Sequence, residues 1–171
     1  MITIRDTTAA DVPALAALVG AVARERRYLG TVDGFTDEQT ASYLTHVRAG
    51  GGVHLVAVDG TRLVGWIDIL EGPYEGLRHY GRLGMGLAED ARGRGLGAQL
   101  LQRALDDGFT RFERIELEVF ASNARAVALY RRLGFVDEGC RRQARVIDDA
   151  PDDILMFGLL RDEWRALTPR E

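Results

Sequence analysis

The chain has 171 residues, 46% of them hydrophobic and 28% charged, with a formal net charge of −4. These values are typical of a soluble globular protein, and we expect one domain over residues 1–171. The negative charge disfavours a nucleic-acid binder that relies on bulk positive charge. All 22 basic residues are arginines, which excludes any mechanism that needs a Schiff-base or P-loop lysine.

Cysteine and histidine content argues against a metal centre. Cys140 is the only cysteine, so a multi-cysteine metal site and an intramolecular disulfide are excluded. His46, His54 and His79 are far apart and lack metal-ligand spacing, so we expect no bound metal. The sequence contains no run of 18 apolar residues and no basic-then-apolar leader. We therefore expect a cytoplasmic protein that binds neither membrane nor nucleic acid.

The first half of the chain predicts a strand, two helices and two more strands. Asp11 is expected to cap a helix that begins near Val12. Thr36 and Gln39 form a capping box for a second helix, which runs toward Val47. Alternating or continuous apolar residues predict three strands around these helices, the last two joined by an Asp-Gly hairpin turn: Ile2–Arg5, Val53–Val58 and Leu63–Ile69.

The second half alternates strands with helices and then ends in two strands. Periodic apolar residues predict four strands, Leu83–Leu87, Ile115–Phe120, Phe135–Gly139 and Ile154–Leu160. They predict two helices, Leu96–Leu105 and Ala126–Leu133. The full order is β-α-α-β-β-β-α-β-α-β-β, which indicates a mixed α/β domain.

A glycine-rich segment between a predicted strand and a predicted helix is the most informative motif. Its residues are Arg92, Gly93, Arg94, Gly95, Leu96, Gly97 and Ala98. Glycines let backbone N–H groups approach a ligand closely, and the helix adds the positive end of its dipole. Arg92 and Arg94 can add charge-assisted hydrogen bonds to phosphate oxygens. The segment therefore predicts a site for a diphosphate.

Two familiar nucleotide motifs fit this segment poorly. The dinucleotide fingerprint G-x-G-x-x-G fails from Gly95, because its third position is Leu100. From Gly93 the third position is Ala98, which only the looser form of the fingerprint allows. A P-loop needs a lysine, and the chain has none. A glycine-rich turn that merely begins a helix remains the structural alternative.

A second motif makes the pattern specific. The first segment contains R-x-x-G-x-G, and about 25 residues later Asn123, Ala126, Tyr130, Gly134 and Phe135 follow the pattern N-x-x-A-x-x-x-Y-x-x-x-G-F. The two motifs, in this order and spacing, resemble the signatures of the GNAT superfamily of N-acetyltransferases. The resemblance extends over nearly the whole chain and is greatest to bacterial amino-acid and small-amine N-acyltransferases.

The resemblance implies a GNAT fold, in which a mixed, mostly antiparallel central sheet is splayed at the acyl-CoA site and carries helices on both faces. It implies that Arg92–Ala98 hold the diphosphate of acetyl-CoA, the acyl-donor substrate. It also implies that the backbone of Met85, Gly86 and Leu87 pairs with the pantetheine arm. Asn123 would bond to the pantetheine, although it is equally well placed to cap a helix.

The resemblance assigns Tyr130 as the general acid near the thioester sulfur, with a core tyrosine as the alternative. A thiol has a pKa of about 8.5 and a tyrosine hydroxyl of about 10, so the tyrosine can protonate a departing thiolate. The general base is less defined. The family glutamate position falls near Gly81, and Glu118 is our candidate, with Glu116, His79, a water chain or a neutral amine as alternatives.

We expect direct attack of an amine on acetyl-CoA without a covalent enzyme intermediate. The favoured acceptor is a small molecule such as an amino acid or polyamine. A protein N-terminus or lysine side chain is the alternative acceptor, and a non-catalytic acyl-CoA sensor is the alternative class. Asp152, in a short acidic run, is either part of a hairpin turn or part of a lip that attracts a cationic amine. The resemblance also suggests a homodimer.

Overall fold

A computed structural model describes residues 1–168. Seven strands form one sheet in the order β1-β2-β3-β4-β5-β7-β6. The strands are Ile2–Asp6, Val53–Asp59, Arg62–Glu71, Tyr80–Leu87, Arg114–Phe120, Val136–Ile147 and Ala150–Leu160 for β1 to β7. The helices are Val12–Arg24, Asp37–Ala49, Leu96–Gly108, Ala124–Arg132 and Arg161–Leu167 for α1 to α5. The predicted mixed α/β class is confirmed.

The centre of the sheet is buried on both faces, since β2 and β3 carry buried residues, most of them apolar, at successive positions. On one face, Trp66 and Val56 pack against Leu15, Leu18 and Val22 of α1. The opposite face forms the larger core with α3, α4 and α5. The members of that core with the largest fully buried side chains include Phe112, Phe157, Ile67, Ile69, Leu100, Leu101, Leu105 and Ile115. The expected helices on both faces are therefore present.

The predicted strands and helices differ from the observed ones mainly at their ends. β6 and β7 extend farther toward each other than expected, and only Asp148 and Asp149 remain as the turn between them. α5 lies beyond the last predicted strand and was not predicted. α1 begins as expected, but the carboxylate of Asp11 accepts from Thr8 and Arg5 rather than capping the helix. The prediction that the Asp11 side chain caps α1 is therefore wrong.

The predicted single domain over residues 1–171 stays a prediction, and residues 169–171 lie outside the described residues. Within residues 1–168, no helix is long and apolar enough to cross a membrane. No group of three or more histidine, cysteine, aspartate or glutamate side chains in the same range is arranged to hold a metal ion.

Candidate active site

The sheet opens between β4 and β5, which are the one pair of neighbouring strands within residues 1–168 that run parallel. Their pairing covers only Tyr80–Leu83 with Arg114–Leu117. Beyond this point, β4 continues to pair with β3 as far as Leu87, and β5 continues to pair with β7. The two strand ends therefore present unpaired edges to each other. We call the gap between 84–87 and 118–120 the wedge, and its closed end lies at the Leu83–Leu117 pair.

Met85, Gly86 and Leu87, the residues predicted to bind the pantetheine, form the β4 side of the wedge. The side chains of Met85 and Leu87 face the helical layer of α3 and α4. Gly86 faces the α1 side, where a β-carbon would lie 2.2 Å from the Trp66 ring. Within residues 1–168, no strand pairs with the β5-facing backbone edge of this segment, and its pairing with pantetheine stays a prediction.

The glycine-rich segment lies directly after β4 and begins α3. Gly93 and Gly95 have φ values of 75° and 80°, in the left-handed region that glycine adopts without strain. Among residues 1–168, no acceptor receives a hydrogen bond from the backbone N–H groups of Gly93, Arg94, Gly95, Leu96 and Gly97. Five successive free donors at the start of a 13-residue helix form a nest for an anion.

The guanidinium of Arg92 turns away from this nest. It makes a bidentate ion pair with Glu25 at 2.6 and 2.8 Å and donates to the carbonyl of Leu87. It also stacks on the ring of Tyr28, 4.6 Å from the centroid. The Arg92 side chain therefore ties the end of β4 to the end of α1, and this geometry does not favour the expected bond to a phosphate.

A second arginine, which the sequence reasoning missed, stands closer to the nest. The side chain of Arg125 reaches within 3.9 Å of the position that a β-carbon on Gly93 would take. Arg94 and Arg125 are both exposed beside the glycines. Arg125 lies inside the second motif, but its direction depends on how α4 packs beside α3.

Asn123 caps α4 by accepting a hydrogen bond from the Ala126 N–H at 3.3 Å. The capping role is thus confirmed, and the role toward pantetheine stays a prediction. The cap uses only Oδ1, so the amide NH2 group of the same side chain is still a donor.

Tyr130 lies on α4 near the closed end of the wedge. Its ring packs against Phe135 and Phe157, with centroids 5.8 and 6.4 Å away, and Phe157 is the cross-strand partner of Leu117. Burial raises the pKa of the Tyr130 hydroxyl above its usual value. The hydroxyl therefore stays protonated at neutral pH, as a proton donor must.

The candidate bases on β5 are engaged with arginines. Glu118 has a 57% exposed side chain and pairs with Arg141. Glu116 pairs with Arg114, which also binds Glu138. Both glutamates lie on the face of the sheet opposite the buried Leu117, which is the α1 and α2 face.

The hairpin of β6 and β7 crosses the mouth of the wedge on this same face. Asp148 forms a bidentate ion pair with Arg26, at 2.5 and 2.8 Å. Arg145 lies over the ring of Phe120 at 4.2 Å and donates to the carbonyl of Arg26. The Nε atom of Arg145 is buried, and no acceptor for it exists among residues 1–168.

The acidic run does not form a free lip. Asp148 binds Arg26, Asp152 accepts from Ser122, and Asp153 accepts from the Gln143 N–H. Three of its carboxylates therefore hold the hairpin in place. This favours a hairpin turn over a lip that attracts a cationic amine.

Similarities to known proteins agree with this geometry. A mixed sheet split beside a glycine-rich anion nest defines the class of acyl-CoA-dependent N-acyltransferases. A sequence model of the acetyltransferase (GNAT) family matches residues 21–135, and the chain belongs to this family. It is an acyl-CoA-dependent N-acetyltransferase whose donor substrate is acetyl-CoA.

Individual relatives are similar over most of their length. A spermidine N(1)-acetyltransferase of Vibrio cholerae is 28% identical over 131 residues, 75% of each chain. A ribosomal-protein-alanine N-acetyltransferase of Brucella melitensis superposes with a TM-score of 0.86 and 27% identity, covering 92% of this chain and 99% of its own. A phosphinothricin acetyltransferase of Sinorhizobium meliloti, solved with acetyl-CoA, shares the fold with a TM-score of 0.89 at 20% identity, covering 99% and 94%.

Proposed function

We propose that this enzyme transfers acetyl from acetyl-CoA to a small primary amine, such as an amino acid or a polyamine, by direct attack. The single observation that carries the proposal is the wedge, which opens directly onto five free N–H donors. The unpaired edge of β4 suits an extended amide chain, and the nest suits a diphosphate at its end. Pantetheine diphosphate has this shape and chemistry.

In this proposal the diphosphate of acetyl-CoA accepts hydrogen bonds from the N–H groups of Gly93–Gly97. Leu96 and Ala98 belong to the first turn of α3, which completes this site. Arg94 and Arg125 supply positive charge beside it. The pantetheine runs along Met85–Leu87 toward the closed end of the wedge, within reach of the Asn123 amide. β4 rises about 3.3 Å per residue, so 84 and 87 are about 10 Å apart along the strand.

Tyr130 protonates the thiolate that leaves when the tetrahedral intermediate collapses. Its position supports this role, because the ring packs beside Phe157 at the closed end of the wedge. Backbone N–H groups on the free strand edge stabilise the oxyanion. Glu118 remains a candidate for the base, on the face where the acceptor enters.

The relatives support two acceptor classes. The 28% identity to a spermidine acetyltransferase favours a polyamine or another small amine. The 27% identity to a ribosomal-protein-alanine acetyltransferase favours a protein N-terminus as the second candidate.

The test is acetyl-CoA-dependent thiol release over a panel of amino acids, polyamines, aminoglycosides and peptides. Background reaction at Cys140 is removed by subtraction, since this thiol is exposed. We expect Tyr130→Phe to lower kcat at least tenfold for the best acceptor, as loss of a general acid does. Tyr74→Phe is the matched control, because Tyr74 is 69% exposed and lies in the loop before β4, at the end of that strand opposite the wedge.

The panel also separates the alternatives. Turnover of small amines but not of peptides supports the proposed acceptor class, and the reverse result supports a protein N-terminus. Binding of acetyl-CoA without turnover of any amine indicates the sensor alternative. Equal rates for Tyr130→Phe and the wild type return Tyr130 to a purely structural role.

A further inference from the structure

Asp68 is a buried carboxylate at the closed end of the wedge. It is 7% exposed and lies on β3 opposite Gly84, the first residue of β4 beyond the last β4–β5 pair. A β-carbon placed on Gly84 would lie 3.4 Å from Oδ2 of Asp68. Since Gly84 has no side chain, no side chain at this position separates the carboxylate from the start of the wedge.

Few charged groups face this carboxylate. Tyr43 of α2 donates from its hydroxyl to Oδ1 at 2.7 Å. Arg82 of β4 contributes positive charge. His54 of β2, the cross-strand partner of Asp68, is neutral at pH 7 because burial and Arg48 lower its pKa to about 4.

Burial dominates the titration of Asp68. Loss of hydration raises its pKa to about 7, while the Tyr43 hydrogen bond and Arg82 act in the opposite direction. A carboxyl group with this pKa is ionised in about half of the molecules at neutral pH and can accept a proton there. Glu118 and Glu116, by contrast, are paired with arginines and more exposed.

Asp68 and Tyr130 both lie near the closed end of the wedge, but on opposite faces of the sheet. Asp68 projects to the α1 and α2 face with Trp66 and Tyr43. Tyr130 belongs to the core on the α3 and α4 face. A thioester at the closed end of the wedge would therefore have a proton acceptor on one side and a proton donor on the other.

We propose that Asp68 is the general base of the acetyl transfer and that Tyr43 is its positioning residue, an inference that rests on the proposed function. The amine nitrogen attacks the thioester carbon, the N–C bond forms, and the carbonyl electron pair moves to oxygen. Oδ2 of Asp68 takes a proton from that nitrogen. Collapse breaks the C–S bond, the thiolate takes the proton of Tyr130, and both side chains then exchange protons with water.

The first test compares Asp68→Asn with the wild type on the best acceptor. The amide is nearly isosteric and still accepts the Tyr43 hydrogen bond. We expect kcat to fall by about a hundredfold to ten-thousandfold, the range for a general base, while the Kd for acetyl-CoA stays within about twofold. Asp106→Asn is the matched control, because Asp106 bonds to Trp164 on the remote side of α3.

The pH profile tests Asp68 independently of the size of the rate loss. Wild-type kcat should rise with pH through the Asp68 pKa of about 7, and Asp68→Asn should lack this limb. Tyr43→Phe should move the limb to higher pH by roughly one unit, because the ionised form loses a hydrogen bond. Titration of the amine itself is common to all variants.

The outcomes are distinguishable from failure of the proposed function. A wild-type enzyme that acetylates no amine overturns both. Turnover with Asp68→Asn within about threefold of the wild type, at unchanged unfolding temperature, overturns the assignment of Asp68 alone. So does an acid limb that persists in Asp68→Asn and disappears in Glu118→Gln, which would assign the base to Glu118.

Discussion

The indole of Trp66 occupies the space beside Gly86, where any side chain would collide with it. Three ring atoms of Trp66 lie 2.2 to 2.7 Å from the position of a β-carbon on Gly86. Trp66 is only 6% exposed and packs against α1, so it has little room to move. A glycine in this strand thus has a packing reason in addition to the predicted backbone pairing.

We expect Gly86→Ala to lower the free energy of unfolding by about 1–3 kcal/mol, the usual cost of overpacking. Urea denaturation measures this change. Gly76→Ala is the control, since nothing lies within 4 Å of its β-carbon position. Trp66→Phe combined with Gly86→Ala should recover part of the loss, because the colliding ring atoms are absent. Strict additivity of the two substitutions would contradict this account.

At single residues, the sequence predicted the type of contact that a side chain makes better than the direction in which the side chain points. It predicted a helix cap at Asn123, and the structure has this cap. It also predicted a phosphate contact for Arg92, but the guanidinium is turned toward Glu25 and Tyr28. The direction of a long side chain depends on partners from distant parts of the chain, and no local pattern contains them.

The β6–β7 hairpin crosses the mouth of the wedge on the α1 and α2 face, where we propose that the acceptor enters. It is held to the end of α1 by Asp148 with Arg26 and by Arg145 with the carbonyl of Arg26. Asp148 and Asp149 form the turn with φ values of 53° and 59°, a conformation that asparagine adopts as readily.

Asp148→Asn should therefore keep the turn but weaken the ion pair with Arg26. We expect backbone hydrogen exchange near the hairpin tip to accelerate several-fold, and the KM for the acceptor to rise more than the KM for acetyl-CoA. Asp149→Asn is the adjacent control, because no ion pair of Asp149 exists within residues 1–168. Equal exchange rates in the two variants would show that the ion pair of Asp148 with Arg26 does not hold the hairpin in place.

At the scale of elements, the sequence succeeded where one face of a strand is buried. β5 alternates between buried apolar and more exposed polar residues, and its predicted start is within one residue of the observed one. β6 is one of the two edge strands, the other being β1, and it is exposed along most of its length. An edge strand of this kind has no apolar alternation, so its last eight residues could not be predicted.

For the whole molecule, ligand binding should be visible as added stability. Acetyl-CoA at about 100 times its Kd should raise the free energy of unfolding by about 2.7 kcal/mol. NADH and ATP should have much smaller effects, because they lack the pantetheine arm that pairs with β4. Differential scanning fluorimetry at fixed protein concentration measures this. Equal stabilisation by all three ligands would indicate a general anion site instead.

The sequence by itself determined the order of strands and helices as far as β7, the absence of lysine, the two motifs and the acetyl-CoA chemistry that they imply. These properties are local, because glycine spacing, helix caps and apolar periodicity act within a few residues. Only the tertiary structure decided that β4 and β5 separate after Leu83 and Leu117, and that Asp68 faces this point from β3. Residues from different strands meet there, and burial raises the pKa of the Asp68 carboxyl, which no sequence pattern records.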